Sequence, residues 1–472
     1  MNSNNRYRRR GGFFAYARNR RMVFFAALGL VLVGIIVLIV CLVAGGNKDD
    51  KSSPSITSVS SAAVTAAPTF TPVPTDDAAA APSPEATAEP QASGDEQPSE
   101  ATGPIDVSDI IAANPPEAGG SSSGELRQVH FRVLGDIMFH EEQLKIAKQD
   151  DGTYNFDSQF KYIADSIGAA DYTIANLETT VGKYKNSSYS GYPQFNTPES
   201  VLTTLKNAGI DFFTMANNHM LDRWFDGMIQ DVDLVEKYGF DHVGAYRTQE
   251  ERDTPVIYEI NGIKFGFVAY THTTNTMERT SDKAAQEYGV PYLYKADIAG
   301  DIKKLREAGA EVVVALPHWG TENTHIPDDT QKQYAKKLAK AGADIILGSH
   351  SHMVEPMQVI SGKDANGNSK EVFLIYCMGN FISSMTLGRT DNGIILDFTV
   401  REQADGSFKV ENIGYVPIYV WKQNKQLYVL PIPDYVDNRP EGMNDTQYNR
   451  MLESYREIVD VLGKDNFTVL SR

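Results

Sequence analysis

Met215-Ala216-Asn217-Asn218-His219-Met220-Leu221-Asp222, preceded by Ile210-Asp211-Phe212-Phe213-Thr214, is the stretch on which the fold class turns. A short, mostly apolar run ending in amides, an imidazole and a carboxylate reads as a buried strand that hands polar groups to a loop at its C-terminal end. That edge is where open α/β sheets keep their chemistry. Asn218 offers an amide oxygen as a hard-metal ligand, and His219 a proton or positive charge. Asp222 is an acceptor able to fix the tautomer and orientation of that imidazole. The other local reading is a helix N-cap at Asn217 or Asn218 with His219 in the first turn. Further strand-end polar clusters along the chain shift the balance toward a site.

Upstream, residues 128–134 alternate in strand fashion and end at Gly135-Asp136-Ile137-Met138-Phe139-His140. A carboxylate just after a strand and a glycine suits a metal ligand, although Gly-Asp is also a common turn. Asp171-Tyr172-Thr173-Ile174-Ala175 leads into Asn176-Leu177-Glu178. Residues 176 and 178 share a face if the strand continues, and Glu178 is then placed to bridge two ions or, alternatively, to sit on the surface.

Downstream, residues 311–316 form a buried strand ending in Pro317-His318-Trp319-Gly320-Thr321-Glu322. The strand 344–347 ends in Gly348-Ser349-His350-Ser351-His352. Two imidazoles at i and i+2 on an extended segment point the same way about 6–7 Å apart, which suits two ions or one ion plus a substrate. Residues 372–378 are a further strand, ending in Gly379-Asn380-Phe381.

Between these ends the pattern predicts helices over 156–167, 198–208, 226–238, 297–308, 328–341 and 440–462. Pro198 opens the second of these, and Gly209 follows it. Residues 254–260 and 263–270, joined at Asn261-Gly262, form a hairpin, and 394–400 pairs antiparallel with 408–417. Mostly βα units with hairpins added late argue an α/β sandwich rather than a pure doubly wound sheet.

The amino-terminal quarter is of another kind. Arg6, Arg8, Arg9, Arg10, Arg18, Arg20 and Arg21 precede an uncharged apolar run over 22–44. At 1.5 Å per residue the run is long enough to cross a hydrocarbon core of about 30 Å as one helix. Arginines ahead of the span keep residues 1–21 in the cytoplasm and send the rest outside, giving a single-pass cell-membrane protein with an extracellular C-terminal domain. A cleaved secretory signal is the competing reading; the run exceeds a usual h-region, and no clear small-x-small site follows it.

Residues 45–127 are rich in Ala, Ser, Thr, Pro and acids, as in Ala-Pro-Ser-Pro-Glu-Ala-Thr-Ala-Glu-Pro, and too poor in large apolar groups to offset their ordering entropy. They are expected to be a disordered tether. A globular domain over 128–435 and a helical extension over 436–472 complete the organisation. With 42% hydrophobic residues the chain has enough for a real core. Its two cysteines, Cys41 and Cys377, both lie in apolar runs, so no disulfide is expected.

The first 44 residues carry seven arginines and no acids, and the tether thirteen acids against three bases, which leaves −14 of the formal −17 on the remainder. An acidic folded part disfavours nonspecific binding to nucleic acid or another polyanion, so a polyanionic substrate needs metal ions or a local basic patch.

The ordered set Gly135-Asp136, Asn176-Leu177-Glu178, Ala216-Asn217-Asn218-His219-Met220-Leu221-Asp222, His318-Trp319-Gly320-Thr321-Glu322, Ala341-Gly342-Ala343-Asp344, Gly348-Ser349-His350-Ser351-His352 and Met378-Gly379-Asn380-Phe381 resembles the calcineurin-like metallophosphatase superfamily. The usual motifs there are Asp-x-His, Gly-Asp-x-x-Asp, Gly-Asn-His-Asp/Glu, His and Gly-His-x-His. The resemblance is closer to the bacterial capsule-synthesis branch, the CapA or poly-γ-glutamate synthesis proteins, and covers residues 129–384.

It implies a four-layer α/β/β/α sandwich with mixed sheets, and Asp136, Glu178, Asn218, His318, His350 and His352 as metal ligands, with Glu178 bridging. It also implies His219 as electrostatic stabiliser or general acid, supported by Asp222. Such ligands suit Mn²⁺, Fe, Zn²⁺ or Mg²⁺. The superfamily's first motif has a histidine two residues after the aspartate, and this chain has Met138. In an extended strand His140 would lie about 13 Å from Asp136, too far to share an ion, so one of two metal positions is expected to be weak or empty.

Three functions compete. The resemblance implies an external, membrane-anchored component of poly-γ-glutamate or similar anionic polymer synthesis, transport or attachment, with membrane-embedded synthase subunits as partners. The alternatives are a metal-dependent hydrolase of phosphoesters or polymer amide bonds, and a non-catalytic polymer-binding scaffold.

Overall fold

Strands that read as buried on both faces need a layer on each side, and the described part of the protein supplies them. The computed structural model describes residues 126–471, apart from 186, 280, 281, 365, 386 and 464–466. The predicted cytoplasmic segment, the predicted span and the predicted tether up to residue 125 lie outside the described residues. Among the described residues no helix is long and apolar enough to cross a membrane.

The chain forms β1 (Gln128–Ile137), β2 (Tyr172–Leu177), β3 (Phe212–Thr214), β4 (Asp241–Val243), β5 (Val256–Ile260), β6 (Ile263–Thr271), β7 (Val312–His318) and β8 (Ile345–Leu347). Then come β9 (Met357–Lys363), β10 (Ser369–Ile375), β11 (Asn380–Ile382), β12 (Asn392–Glu402), β13 (Phe408–Gln423), β14 (Gln426–Pro431) and β15 (Thr468–Val469). One sheet runs β14-β13-β12-β1-β2-β3-β4, with β11 also on β1 and β15 also on β13; the other runs β5-β6-β7-β8-β10-β9. Both are mixed. β1 to β4 are parallel to their neighbours in the order β1-β2-β3-β4, whereas β12 lies antiparallel on β1. β6, β7, β8 and β10 form the parallel core of the second sheet.

Alternation along the second sheet sorts its two faces. Phe265, Phe267, Val312, Val314, Ile345, Leu347, Phe373 and Ile375 share one core with the first sheet, while Val268, Tyr270, Val313, Ala315, Ile346, Val372 and Leu374 share another with helices Ile298–Glu307 and Asp329–Ala341. The sheets meet through rings: Phe131 lies 5.0 Å from Phe265, and Phe212 lies 4.5 Å from Phe267, centroid to centroid. Helix Trp224–Lys237 packs on β4, and helix Asp445–Leu462 on β13.

The closing segment is therefore built into the first sheet, since β15 pairs with β13 through Gly414↔Thr468 and Tyr415↔Val469. Its helix, expected after Pro440-Glu441-Gly442, begins at Asp445, because Asn444 caps it by accepting from the Gln447 backbone N–H. The helix predicted over 156–167 is two single turns, Asp157–Phe160 and Ala164–Ile167. The apolar period survives, burying Phe156, Phe160, Ile163 and Ile167. Bonds of the i→i+3 kind, Ile163 N–H to Phe160 O and Ser166 N–H to Ile163 O, both 3.0 Å, tighten the chain between the turns. The strand predicted over 372–378 runs Ser369–Ile375, so the segment after it is a loop carrying Gly379 to β11.

Candidate metal centre

Parallel strands end together, so polar residues placed just after them meet at one edge. Asp136 ends β1, Asn176 and Glu178 end β2, Asn217 to His219 follow β3, His318 ends β7, His350 and His352 follow β8, and Asn380 opens β11. All eight residues predicted for the site converge here: Asp136, Glu178, Asn218, His219, Asp222, His318, His350 and His352 are each no more than 4% exposed.

Two donor groups form. One is Glu178, His318 and His350; the other is Asp136, Glu178 and His352; in each, the candidate ligand atoms lie within 4.8 Å of one another. Glu178 belongs to both. Asn218 Oδ1 and His350 Nδ1 each lie 3.0 Å from His318 Nε2, and His352 Nδ1 lies 3.1 Å from Asp136 Oδ2. Glu178 Oε1 is 3.6 Å from His318 Nε2 and 3.9 Å from His352 Nε2. Among the described residues no hydrogen-bond partner reaches that buried oxygen. An orphaned carboxylate oxygen at the shared corner of two oxygen and imidazole sets fits a divalent cation, since a buried charge without a partner is costly.

The electrostatics agree. Burial, and then the charge of Asp136, push the Glu178 carboxyl well above its usual range. Burial, and then neighbouring imidazoles, hold His318 and His350 well below theirs. The contact of His318 with Glu178 is thus not an ion pair with a protonated histidine, and neutral imidazoles keep the lone pair that a metal needs. Burial opposes the charged form of His352 too, but the hydrogen bond and charge of Asp136 outweigh it and leave that ring raised.

His219 stands beside the donors. Its Nδ1 lies 2.8 Å from Asp222 Oδ2, and that oxygen also accepts from the Phe195 backbone N–H at 2.7 Å. The Phe195 ring packs 4.7 Å from the imidazole, edge to face. Bonding at Nδ1 leaves Nε2 as the nitrogen to meet a substrate. Exposed Tyr192 lies 6.4 Å from the same ring and also lines a shallow pocket of about 440 Å³ with His140, Glu141, Glu142, Lys145 and Ser384. A second cavity, of about 600 Å³, lies at the other end of the parallel strands, where Arg306 and Lys370 are both paired with Asp344.

Two sequence expectations need correction. His350 and His352 do not lie on an extended segment: their φ angles are 104° and 59°, left-handed values that cost non-glycine residues about 1–3 kcal/mol and collect at functional sites. Glycine at 348 lets the segment before them pass close to the end of β10, because a Cβ there would meet Tyr376 O at 2.0 Å. His140 is not carried away by the strand either. β1 stops at Ile137, and His140 caps the helix Glu141–Ala147 with its ring 5.2 Å from that of Phe195. Burial, and then the charge of His352, lower its pKa to about 4.

Sequence reasoning assigned no role to several neighbours. Asn176 Nδ2 donates to Asp136 Oδ1 at 2.8 Å, Ser349 Oγ lies 2.8 Å from His318 Nδ1, and Asn217 Nδ2 donates to Leu177 O at 2.8 Å. His272 lies 4.5 Å from His350, ring to ring. Its signal was present, since it lies two residues after the predicted strand 263–270.

Residues 130–385 match the family model described as bacterial capsule synthesis protein PGA_cap, which is more than half of the chain. The chain belongs to that family. The matched span holds all eight predicted site residues. Among relatives of this family member, the PGA biosynthesis protein CapA of Bacillus subtilis is 28% identical over 284 residues, 59% of this chain and 70% of that one. The capsule biosynthesis protein CapA of Bacillus anthracis is 23% identical over 283 residues, 59% of this chain and 65% of that one. Among solved structures, the calcineurin-like phosphoesterase YfkN of Bacillus subtilis aligns over 71% of this chain and 99% of that chain, with 15% identity and a TM-score of 0.35.

Proposed function

We propose that this capsule-synthesis family member is an external, membrane-anchored component of poly-γ-glutamate or related anionic polymer synthesis, transport or attachment, and that its buried pocket holds divalent cations. One observation carries the reading: Glu178 is shared by both donor groups, and its Oε1 has no hydrogen-bond partner among the described residues. The name of the Bacillus subtilis relative, a PGA biosynthesis protein, supports the polymer, and that of the Bacillus anthracis relative a capsule. Charge supports the cations, because a remainder carrying −14 repels a polyglutamate chain unless positive charge is added at the point of contact. The seven arginines ahead of residues 22–44 support an anchor with a cytoplasmic amino terminus, and the acidic stretch 45–127 a tether. The four-layer metallophosphatase sandwich and synthase partners in the membrane belong to the same proposal.

Glu178, Asp136, Asn218, His318, His350 and His352 hold the metal, Mn²⁺, Fe, Zn²⁺ or Mg²⁺. A bound cation supplies positive charge against an anionic group of the substrate. The chain's own part is orientation and protons. Asp222 fixes the His219 ring through Nδ1, so Nε2 can stabilise developing negative charge or protonate a leaving group. Asn176 holds Asp136, and Ser349 holds His318, in the directions that the donor set needs.

That His219–Asp222 pair also favours a second reading, hydrolysis of phosphoesters or of polymer amide bonds. Metal analysis of the purified protein, assays on aryl phosphoesters and poly-γ-glutamate, and surface-polymer yield in a deletion strain test both. Bound metal with lost polymer on deletion, restored by His219→Ala, supports the accessory role without turnover. Hydrolysis abolished by His219→Ala supports the second reading. A metal-free protein whose deletion leaves polymer unchanged overturns both.

A further inference from the structure

Met138 stands where the resemblance calls for a histidine ligand, and its side chain is buried. The geometry points to Asn380 as the residue that fills this gap: its side-chain carbonyl oxygen completes the donor set of Asp136, Glu178 and His352 for a hard divalent cation. The assignment rests on the cation-holding pocket proposed above and adds a ligand to it.

Placement comes first. β11 lies parallel on β1 with Asp136 opposite Asn380, and the Asp136 N–H donates to Gly379 O at 3.0 Å. Glycine at 135 permits this approach, since a Cβ there would meet Gly379 O at 1.9 Å. The amide is also oriented. Asn380 Nδ2 donates to Thr390 O and to Ser383 Oγ, each at 3.0 Å. A backbone carbonyl can only accept, so the nitrogen must face Thr390 and the oxygen must face the pocket.

Spacing agrees with ligation. Asn380 Oδ1 lies 3.0 Å from His352 Nδ1, which lies 3.1 Å from Asp136 Oδ2; these are hydrogen bonds while Nδ1 carries its proton and become ligand-to-ligand spacings once a cation displaces it. Neighbouring donors around an octahedral cation at about 2.1 Å stand about 3.0 Å apart. The set then holds two carboxylates, one amide oxygen and one imidazole, a hard combination. Thr390 is braced in turn by the closing helix: Arg450 pairs with Asp391 at 2.5 Å, and Arg389 with Glu453 at 3.0 Å. The segment after residue 435 thereby supports the ligand.

The test uses the full-length chain and Mn²⁺, with stoichiometry and affinity read by calorimetry. The wild type is expected to bind two ions. Asn380→Cys should keep one and weaken the other at least tenfold. Adding Cd²⁺ should then produce a thiolate-to-cadmium charge-transfer band above the baseline that Cys41 and Cys377 give in the wild type, because a residue that touches the ion carries its sulfur onto it. Ser383→Ala, which leaves Asn380 in place with its amide held by Thr390 O but no longer by Ser383, should weaken the same ion by a smaller factor; this holds even if the cysteine variant misfolds. Two unchanged Mn²⁺ sites in Asn380→Cys or Ser383→Ala, or no cadmium band in a folded Asn380→Cys, would overturn Asn380 as a ligand and leave the pocket standing. A wild type that binds no Mn²⁺ would remove both.

Discussion

Glu355 offers a prediction whose size can be worked from the fold. It sits on the loop that follows His352, fully buried, and its Oε2 accepts from Gln331 Nε2 at 2.5 Å. Gln331 in turn belongs to the cap of helix Asp329–Ala341, below the loop that follows His318. The pair thus ties the loop after His352 to the start of the helix that follows His318.

Burial, reinforced by Asp328 and opposed by the Gln331 bond, pushes the Glu355 carboxyl up to about 8. Its unfolded value is about 4.5. Between these values the folded state holds a proton that the unfolded state has released, so stability is full below about pH 4.5 and falls as pH rises toward 8. A gap of about 3.5 units at 1.36 kcal/mol each sets a ceiling of about 5 kcal/mol on that loss. Glu355→Gln keeps the shape and an acceptor for Gln331 but cannot ionise. Denaturation of both proteins from pH 5 to 9, with chelator present, should show equal stability to within about 1 kcal/mol near pH 5. The variant should be more stable by about 2–5 kcal/mol above pH 8. Parallel stability curves would refute the reasoning, because every other titrating group is common to both.

The remaining predictions concern the site and the core. A divalent cation at a hundredfold excess over its Kd should raise unfolding free energy by about 2.7 kcal/mol, and Glu178→Ala should abolish the gain in the same melting experiment. Acidification should weaken that binding, because Glu178, whose pKa is raised, takes up a proton that competes with the ion; calorimetry across pH 5–8 reads the trend, and pH-independent affinity would contradict it. Asp397→Ala should cost about 3–5 kcal/mol in chemical denaturation, since it strips the buried Arg132 guanidinium of an acceptor at 2.9 Å. Phe212→Ala should cost about as much by opening a cavity where the two sheets meet, with metal stoichiometry unchanged.

Local chemistry made much of this protein legible before any coordinates. A strand announces itself by its apolar run, and a polar cluster directly after it must lie at the strand's end, so Asp136, Glu178, Asn218, His219, His318, His350 and His352 were readable as an ordered set, although each taken singly had a plain structural reading. So was the turn at Asn261-Gly262, where both residues adopt positive φ. Periodicity reports which face of a segment is covered, but it does not name the cover. The pairing of β1 with β12 and β11 joins residues more than two hundred positions apart, and no local pattern encodes it. That pairing brings Asn380 to Asp136, and the end of β1 at Ile137 turns His140 back against Phe195. The left-handed turns at His350 and His352, and the close approach of Gly348 to Tyr376 O, are likewise set by the packing of β8 beside β10 and not by local pattern. Residue type sets what a side chain can do, and is written in the chain; its neighbours depend on which distant strands share hydrogen bonds, and those arise only when the two sheets close on one core.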